Sequence, residues 1–307
     1  MREIWKLEKY DDLQSQALIK RVKEMYRSQK AKFNEISAAR GQQSIHHYKL
    51  SNSERVLIRS LHLKKYRYQY KLFLIEGLKP VKEALLANFP VESIYISSKL
   101  DESSKIEIIG LSKNFSTKIC LISQKEINRI SSLKIPEGII AVGKINEKDF
   151  EFLDEDDIPA LYLWQVSDPG NLGTIIRTSL WFNVKRIFIS PGSVDVYSSK
   201  VVRGSMGAIF QMEISPNIDF ELLYDRAKGK GIKFLAADMS GNKLSEFGLG
   251  NRWILVFGSE SHGLPKKIIN NADYLLSIRR RGYGESLNLG VSVGIFLNEL
   301  LYKDRED

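Results

Sequence analysis

Three short stretches of this 307-residue chain carry side chains that could do chemistry together. The first, DPGNLGTIIR (168–177), turns at Pro169 and Gly170, then presents Asn171, Gly173 and, six residues after Asn171, Arg177. The second, FGSESHGLP (257–265), sets Glu260 between Gly258 and Gly263. The third, IRRRGYGESLN (278–288), runs from Ile278 through Arg279, Arg280 and Arg281 to Ser286, Leu287 and Asn288. Glycine lets backbone approach a ligand, and a guanidinium matches phosphate oxygens in pairs. An amide, a carboxylate, a hydroxyl and several guanidiniums on such loops suit group transfer onto an anionic polymer. Asn171 is expected to cap the helix that begins there.

Other chemistries lack their residues. No G-x-G-x-x-G follows a strand, no Walker loop is present, and Ser261 and Ser286 lack the paired glycines of a nucleophile elbow. The single Cys120 rules out a disulfide within the chain. The four scattered histidines (His46, His47, His62, His262) give no metal-ligand set. No metal is expected.

The elements that must position these stretches read as alternating strands and helices. Residues 160–166 (ALYLWQV) form a continuous apolar run, the pattern of a strand buried on both faces. Further strands are predicted at 186–189, 233–237, 253–257 and 274–278, and helices at 172–182, 220–228, 265–270 and 289–302. This alternation predicts a parallel sheet covered by helices. Ligands of such sheets bind beyond the carboxyl ends of the strands, where all three stretches fall.

Upstream, a helix at 53–61 capped by Ser53, strands at 71–75, 93–96, 118–121 and 138–142, and helices at 81–88 and 106–111 predict a smaller α/β domain. The chain thus divides into a helical basic extension (1–45), a first domain (46–150) and a second (157–307). Residues 38–44 read as a hinge and the acidic 147–157 as a linker.

Composition, 43% hydrophobic and 27% charged, is that of a soluble chain with two cores. No apolar run is long enough to span a membrane, and the polar, acid-bearing start is not a signal peptide, so a cytoplasmic protein is expected. The charge is divided unevenly. Residues 1–80 hold 18 Lys+Arg and 8 Asp+Glu, a balance of +10, while the rest holds 28 and 29, a balance of −1. On charge alone, a nucleic-acid partner and a solvated basic helix fit equally well.

Read together, the three stretches resemble the SpoU (TrmH) family of RNA ribose methyltransferases, in the SPOUT superfamily. N-x-G-x-x-x-R is matched by Asn171, Gly173 and Arg177, and G-x-E-x-x-G-L by Gly258, Glu260, Gly263 and Leu264. S-L-N before a helix closing G-I-x-L-x-E is matched by Ser286, Leu287, Asn288, Gly294, Ile295, Leu297 and Glu299. The run KVVRGSMGA (200–208) is similar to the family's K-x-x-R-x-S-x-G-A element. The resemblance spans roughly residues 50–306.

The resemblance implies a parallel sheet with a C-terminal trefoil knot that binds S-adenosyl-L-methionine, a homodimer formed through the knotted domain, and a ribosomal-protein-like RNA-binding domain in front. It implies that backbone at Gly258, Ile278 and Leu287, with Glu260 and Asn288, holds the cofactor. Arg177, Asn171, Glu260, Ser286 and Asn288 become the catalytic set. Lys64, Lys65 and Arg67 at the front, and Arg279, Arg280 and Arg281 in the third stretch, are expected to meet RNA. The expected reaction is methylation of a ribose 2′-hydroxyl, in ribosomal RNA before transfer RNA. A non-catalytic ribosome-assembly factor on the same fold is the alternative. The chain departs from the family at Arg279 and Arg280, where Pro and Met are usual, and at Leu289 and Gly290, where Val and Ser are usual.

Overall fold

The computed structural model describes residues 49–113, 115, 117–145, 158–244 and 252–302. The expected helical arm (1–45), hinge (38–44) and linker (147–157) lie outside the described residues.

The chain first forms α1 (Asn52–Ser60), α2 (Lys64–Tyr70), β1 (Leu72–Glu76), α3 (Leu78–Leu86), β2 (Val91–Ser97), α4 (Glu102–Ser112), β3 (Lys118–Ile122), α5 (Gln124–Ile130) and β4 (Ile139–Lys144). The four strands order as β1-β4-β2-β3, with β4 antiparallel to both neighbours and β2 parallel to β3. Ser51, rather than Ser53, caps α1. Its hydroxyl accepts from the Glu54 amide while the Glu54 carboxylate accepts from the Ser51 amide, a reciprocal capping box.

The second half forms β5 (Ala160–Leu163), α6 (Pro169–Trp181), β6 (Arg186–Ile189), α7 (Ser199–Gly204), β7 (Glu213–Ser215), α8 (Phe220–Lys228), β8 (Lys233–Lys243), β9 (Trp253–Phe257), α9 (Lys266–Asn271), β10 (Tyr274–Ser277) and α10 (Leu289–Tyr302). Its six strands order as β10-β8-β9-β5-β6-β7, and every pairing is parallel. The central strands are buried along their whole length, as the continuous apolar runs predicted.

The two sheets share one hydrophobic core. Phe73 of β1 meets Tyr197 with ring centroids 4.8 Å apart, and Phe89 meets Phe210 at 5.0 Å. Beside them Arg67 donates from Nε to Asp195 Oδ2 at 2.8 Å and from Nη1 to the Leu61 carbonyl at 2.7 Å. Tyr68 donates to the other Asp195 oxygen at 2.9 Å. Glu76, 1% exposed, accepts from the hydroxyls of Ser131 and Ser132 and from Arg203. Burial alone would raise its carboxyl, but the hydrogen bonds from Ser132 and Ser131 outweigh that and hold it below its ordinary value.

Candidate active site at the strand ends

The loops after β5, β9 and β10 meet at the carboxyl edge of the parallel sheet. Asp168, not Asn171, caps α6: its Oδ1 accepts from the Asn171 amide at 2.7 Å. That correction has a chemical consequence, because the Asn171 side chain is released for other partners. Its Nδ2 donates to Glu260 Oε1 at 2.8 Å, and its Oδ1 accepts from Asn288 Nδ2 at 2.8 Å. The Asn288 Oδ1 in turn accepts from the Val291 amide at 3.3 Å, in the first turn of α10.

The direction of this chain is set by its acidic end. An ionised carboxylate only accepts, so Asn171 must turn its amide nitrogen to Glu260 and its oxygen to Asn288. Glu260 also accepts from the Ser167 amide, at 3.4 Å. One relay therefore ties the three loops to the starts of two helices.

Arg177 lies two turns along α6 from Asn171. It is exposed and has no partner among the described residues. Ser286 and Leu287 are exposed beside Asn288, Leu287 at 52%. Gly258 is buried where the loop doubles back. A Cβ there would lie 2.2 Å from the Gly263 carbonyl carbon, so no other residue fits without moving backbone. Ile278 is partly buried against the main core. The departure at Gly290 is steric: a Cβ would lie 2.8 Å from Thr174 Cγ2 where α10 crosses α6. A serine at this position requires Thr174 to shift.

The expected RNA contacts fare unevenly. Lys64 and Lys65 are exposed on α2 and lie 5.9 Å over the Tyr68 ring and 5.8 Å over the Tyr66 ring. Arg67 does not face RNA. It is 5% exposed and spent on Asp195 and Leu61, because an unpaired guanidinium inside the core would be costly. Tyr66 and Tyr70 stand on that helix instead, stacked at 6.1 Å with planes 13° apart. Arg279 and Arg281 are exposed, whereas Arg280 donates to the Gly284 carbonyl at 2.7 Å and closes its own loop.

Sequence reasoning missed Asp195, the partner of Arg67. A pair separated by 128 residues leaves no local pattern. It also gave no role to the 200–208 element, which proves to be a junction. Gly204 comes within 2.9 Å of a Cβ placed on Gly173, and Arg203 reaches Glu76 at 3.4 Å.

Comparison with known proteins finds matches over both halves of the chain. The SpoU rRNA Methylase family model matches residues 159–298, and the MRM3-like substrate binding domain model matches residues 56–141. The second half of the chain is thus similar to the SpoU methylases, and the part before it to an MRM3-like substrate-binding domain. It is 26% identical over 243 residues to the 23S rRNA (guanosine(2553)-2′-O)-methyltransferase RlmP of Bacillus subtilis, covering 79% of this chain and 93% of that protein. A TrmH-family protein from Porphyromonas gingivalis superposes with a TM-score of 0.74 at 28% identity, over 84% of this chain and 100% of that one. The AdoMet-bound rRNA methyltransferase from Sinorhizobium meliloti superposes at 0.71 with 25% identity, over 82% and 95%.

Proposed function

We propose that the protein transfers a methyl group from S-adenosylmethionine to a ribose 2′-hydroxyl of RNA, ribosomal RNA in particular. The observation that carries this reading is the Glu260–Asn171–Asn288 relay beside an exposed, unpaired Arg177. Relatives named as rRNA methyltransferases, one of them with bound AdoMet, support it.

The residues suit the cofactor. The Gly258 turn presents backbone with no room for a side chain, and Leu287 and Ile278 supply apolar surface next to Ser286 and Asn288. Backbone at Gly258, Ile278 and Leu287, with Glu260 and Asn288, would hold it. When bound it supplies a methyl group on a sulfonium, which needs no acid to leave. The protein's task is then alignment and charge stabilisation. A guanidinium is a poor base, so Arg177 is given a charge-stabilising role and the hydroxyl proton is released to bulk solvent as the methyl bond forms. It anchors the adjoining phosphate and stabilises the negative charge that grows on the 2′-oxygen. Asn171 and Glu260 hold the start of α6, and with it Arg177, against the cofactor loops. Ser286, unpartnered among the described residues, is placed to meet substrate. A reaction at the 2′-hydroxyl selects RNA over DNA.

In this reading the loops after β9 and β10 thread a trefoil knot, and the domain pairs with a second copy in the cytoplasm. Trp181 (83% exposed), Leu287 (52%), Val291 (51%) and Tyr302 (49%), carried by or beside α6 and α10, supply apolar surface for that pairing. Among the described residues no helix is long and apolar enough to cross a membrane. Lys64, Lys65, Arg279 and Arg281 serve as phosphate contacts. Mapping methylated riboses in RNA from cells with and without the gene is the decisive measurement. An identical map in both would overturn the assignment.

A further inference from the structure

The loop between β10 and α10 holds a side chain that the mechanism above does not use. Tyr283 is 108% exposed, as free of the protein as in an extended peptide, and has no partner among the described residues. A tyrosine held out in water exposes apolar surface, and the loop is arranged to keep it there. Arg280 donates to the Gly284 carbonyl at 2.7 Å, closing a turn with Tyr283 inside it. Gly284 has φ +136, a conformation that other residues rarely take. Exposed Arg279 and Arg281 precede the ring, exposed Glu285 is the one acid on the loop, and Asn288 of the relay lies five residues on.

We infer that Tyr283 stacks on an RNA base next to the target nucleotide, with Arg279 and Arg281 on the flanking phosphates. The inference rests on the RNA methyltransferase reading and adds the group that holds the neighbouring base in place. An aromatic ring among cations suits a strand that is both planar-faced and anionic. The ring's immediate neighbours are Arg281, Gly282 and Gly284, a basic setting that suits an anionic strand.

The test uses the full-length protein and ribosomal RNA from cells lacking the gene. Tyr283→Ala is expected to raise KM for RNA about 10-fold, the loss of one stacked base, with cofactor affinity unchanged. Tyr283→Phe and Tyr283→Trp, which keep the ring, should restore KM to within about twofold. Stacking is insensitive to salt, so Tyr283→Ala should leave the salt dependence of RNA binding unchanged. Arg279→Ala and Arg281→Ala should each lower its slope by about one. A Tyr283→Ala enzyme with wild-type KM overturns the inference while leaving the methyltransferase reading intact. So does a variant whose sedimentation changes in the absence of RNA, which would assign the ring to a second copy of the chain. A wild-type protein that moves no methyl to RNA overturns the underlying reading and the stacking with it.

Discussion

Arg177 and Asn171 stand on one helix and meet opposite demands. Asn171 has a partner for its amide nitrogen and another for its oxygen, while Arg177 has none among the described residues. Arg177→Ala should therefore lower turnover by at least about 100-fold, the scale of losing one charge-stabilising donor, with cofactor affinity and melting temperature unchanged. Side-by-side turnover, calorimetry and melting measurements check this, and a matching fall in all three would make Arg177 structural. Gly290 supports the opposite kind of prediction. Introducing the serine that the resemblance leads one to expect, Gly290→Ser, forces a Cβ to within 2.8 Å of Thr174 Cγ2 and should cost about 1–3 kcal/mol. Thr174→Ala in the same chain should recover most of the loss in a thermal melt. The motif residues were legible at this scale because glycine, amide and guanidinium spacing survives in one dimension. The cap was not: Asp168 and Asn171 are both good caps, and only the geometry shows that Asp168 takes the role.

Among the elements, long buried strands and long helices could be read directly. β6, β9, α8 and α10 fall where hydrophobic runs and periodicity put them. The short helices α2, α5 and α7 were missed, since six or seven residues carry less than two turns of pattern. For α2 the omission had a cost in function, because a helix there separates its residues by face. Arg67 turns inward while Lys64 and Lys65 turn outward. Lys64→Ala with Lys65→Ala should weaken RNA binding and reduce the salt slope by about two, whereas the fold should be unaffected. Filter binding across a salt series measures this, and an unchanged slope would remove α2 from the RNA footprint.

For the molecule as a whole, the contacts between the two sheets decide stability. Arg67 and Asp195 are each 6% exposed at their side chains, so Arg67→Ala leaves a buried carboxylate without its cation. A loss of about 3–5 kcal/mol is expected, partly reversed by Asp195→Ala in the same chain. Chemical denaturation of the single and double variants would show it. Glu76 adds a pH dependence. Its carboxyl is held below its ordinary value of 4.5, so its stabilisation is present above that pH and is lost as pH falls through the lowered value. Glu76→Gln should flatten the acid side of the melting curve relative to wild type. None of these pairings was visible in the sequence, which signals periodicity within an element and is silent about partners 55 to 128 residues away.

The shared core has a further effect on what the protein can recognise. Phe73 against Tyr197 and Phe89 against Phe210 bind the lysine-bearing half to the half that carries Arg177, so the gap between them is fixed. On the proposed reading, with Lys64, Lys65 and Arg177 all meeting RNA, the two halves form a clamp of fixed gauge that does not adapt to its cargo. RNA in which the two points of contact lie at another separation must bend to fit, and it meets that cost alone. On that reading selection would act on the folded shape of the RNA as much as on its letters, and the same nucleotide would be modified or ignored according to how far its surroundings had folded.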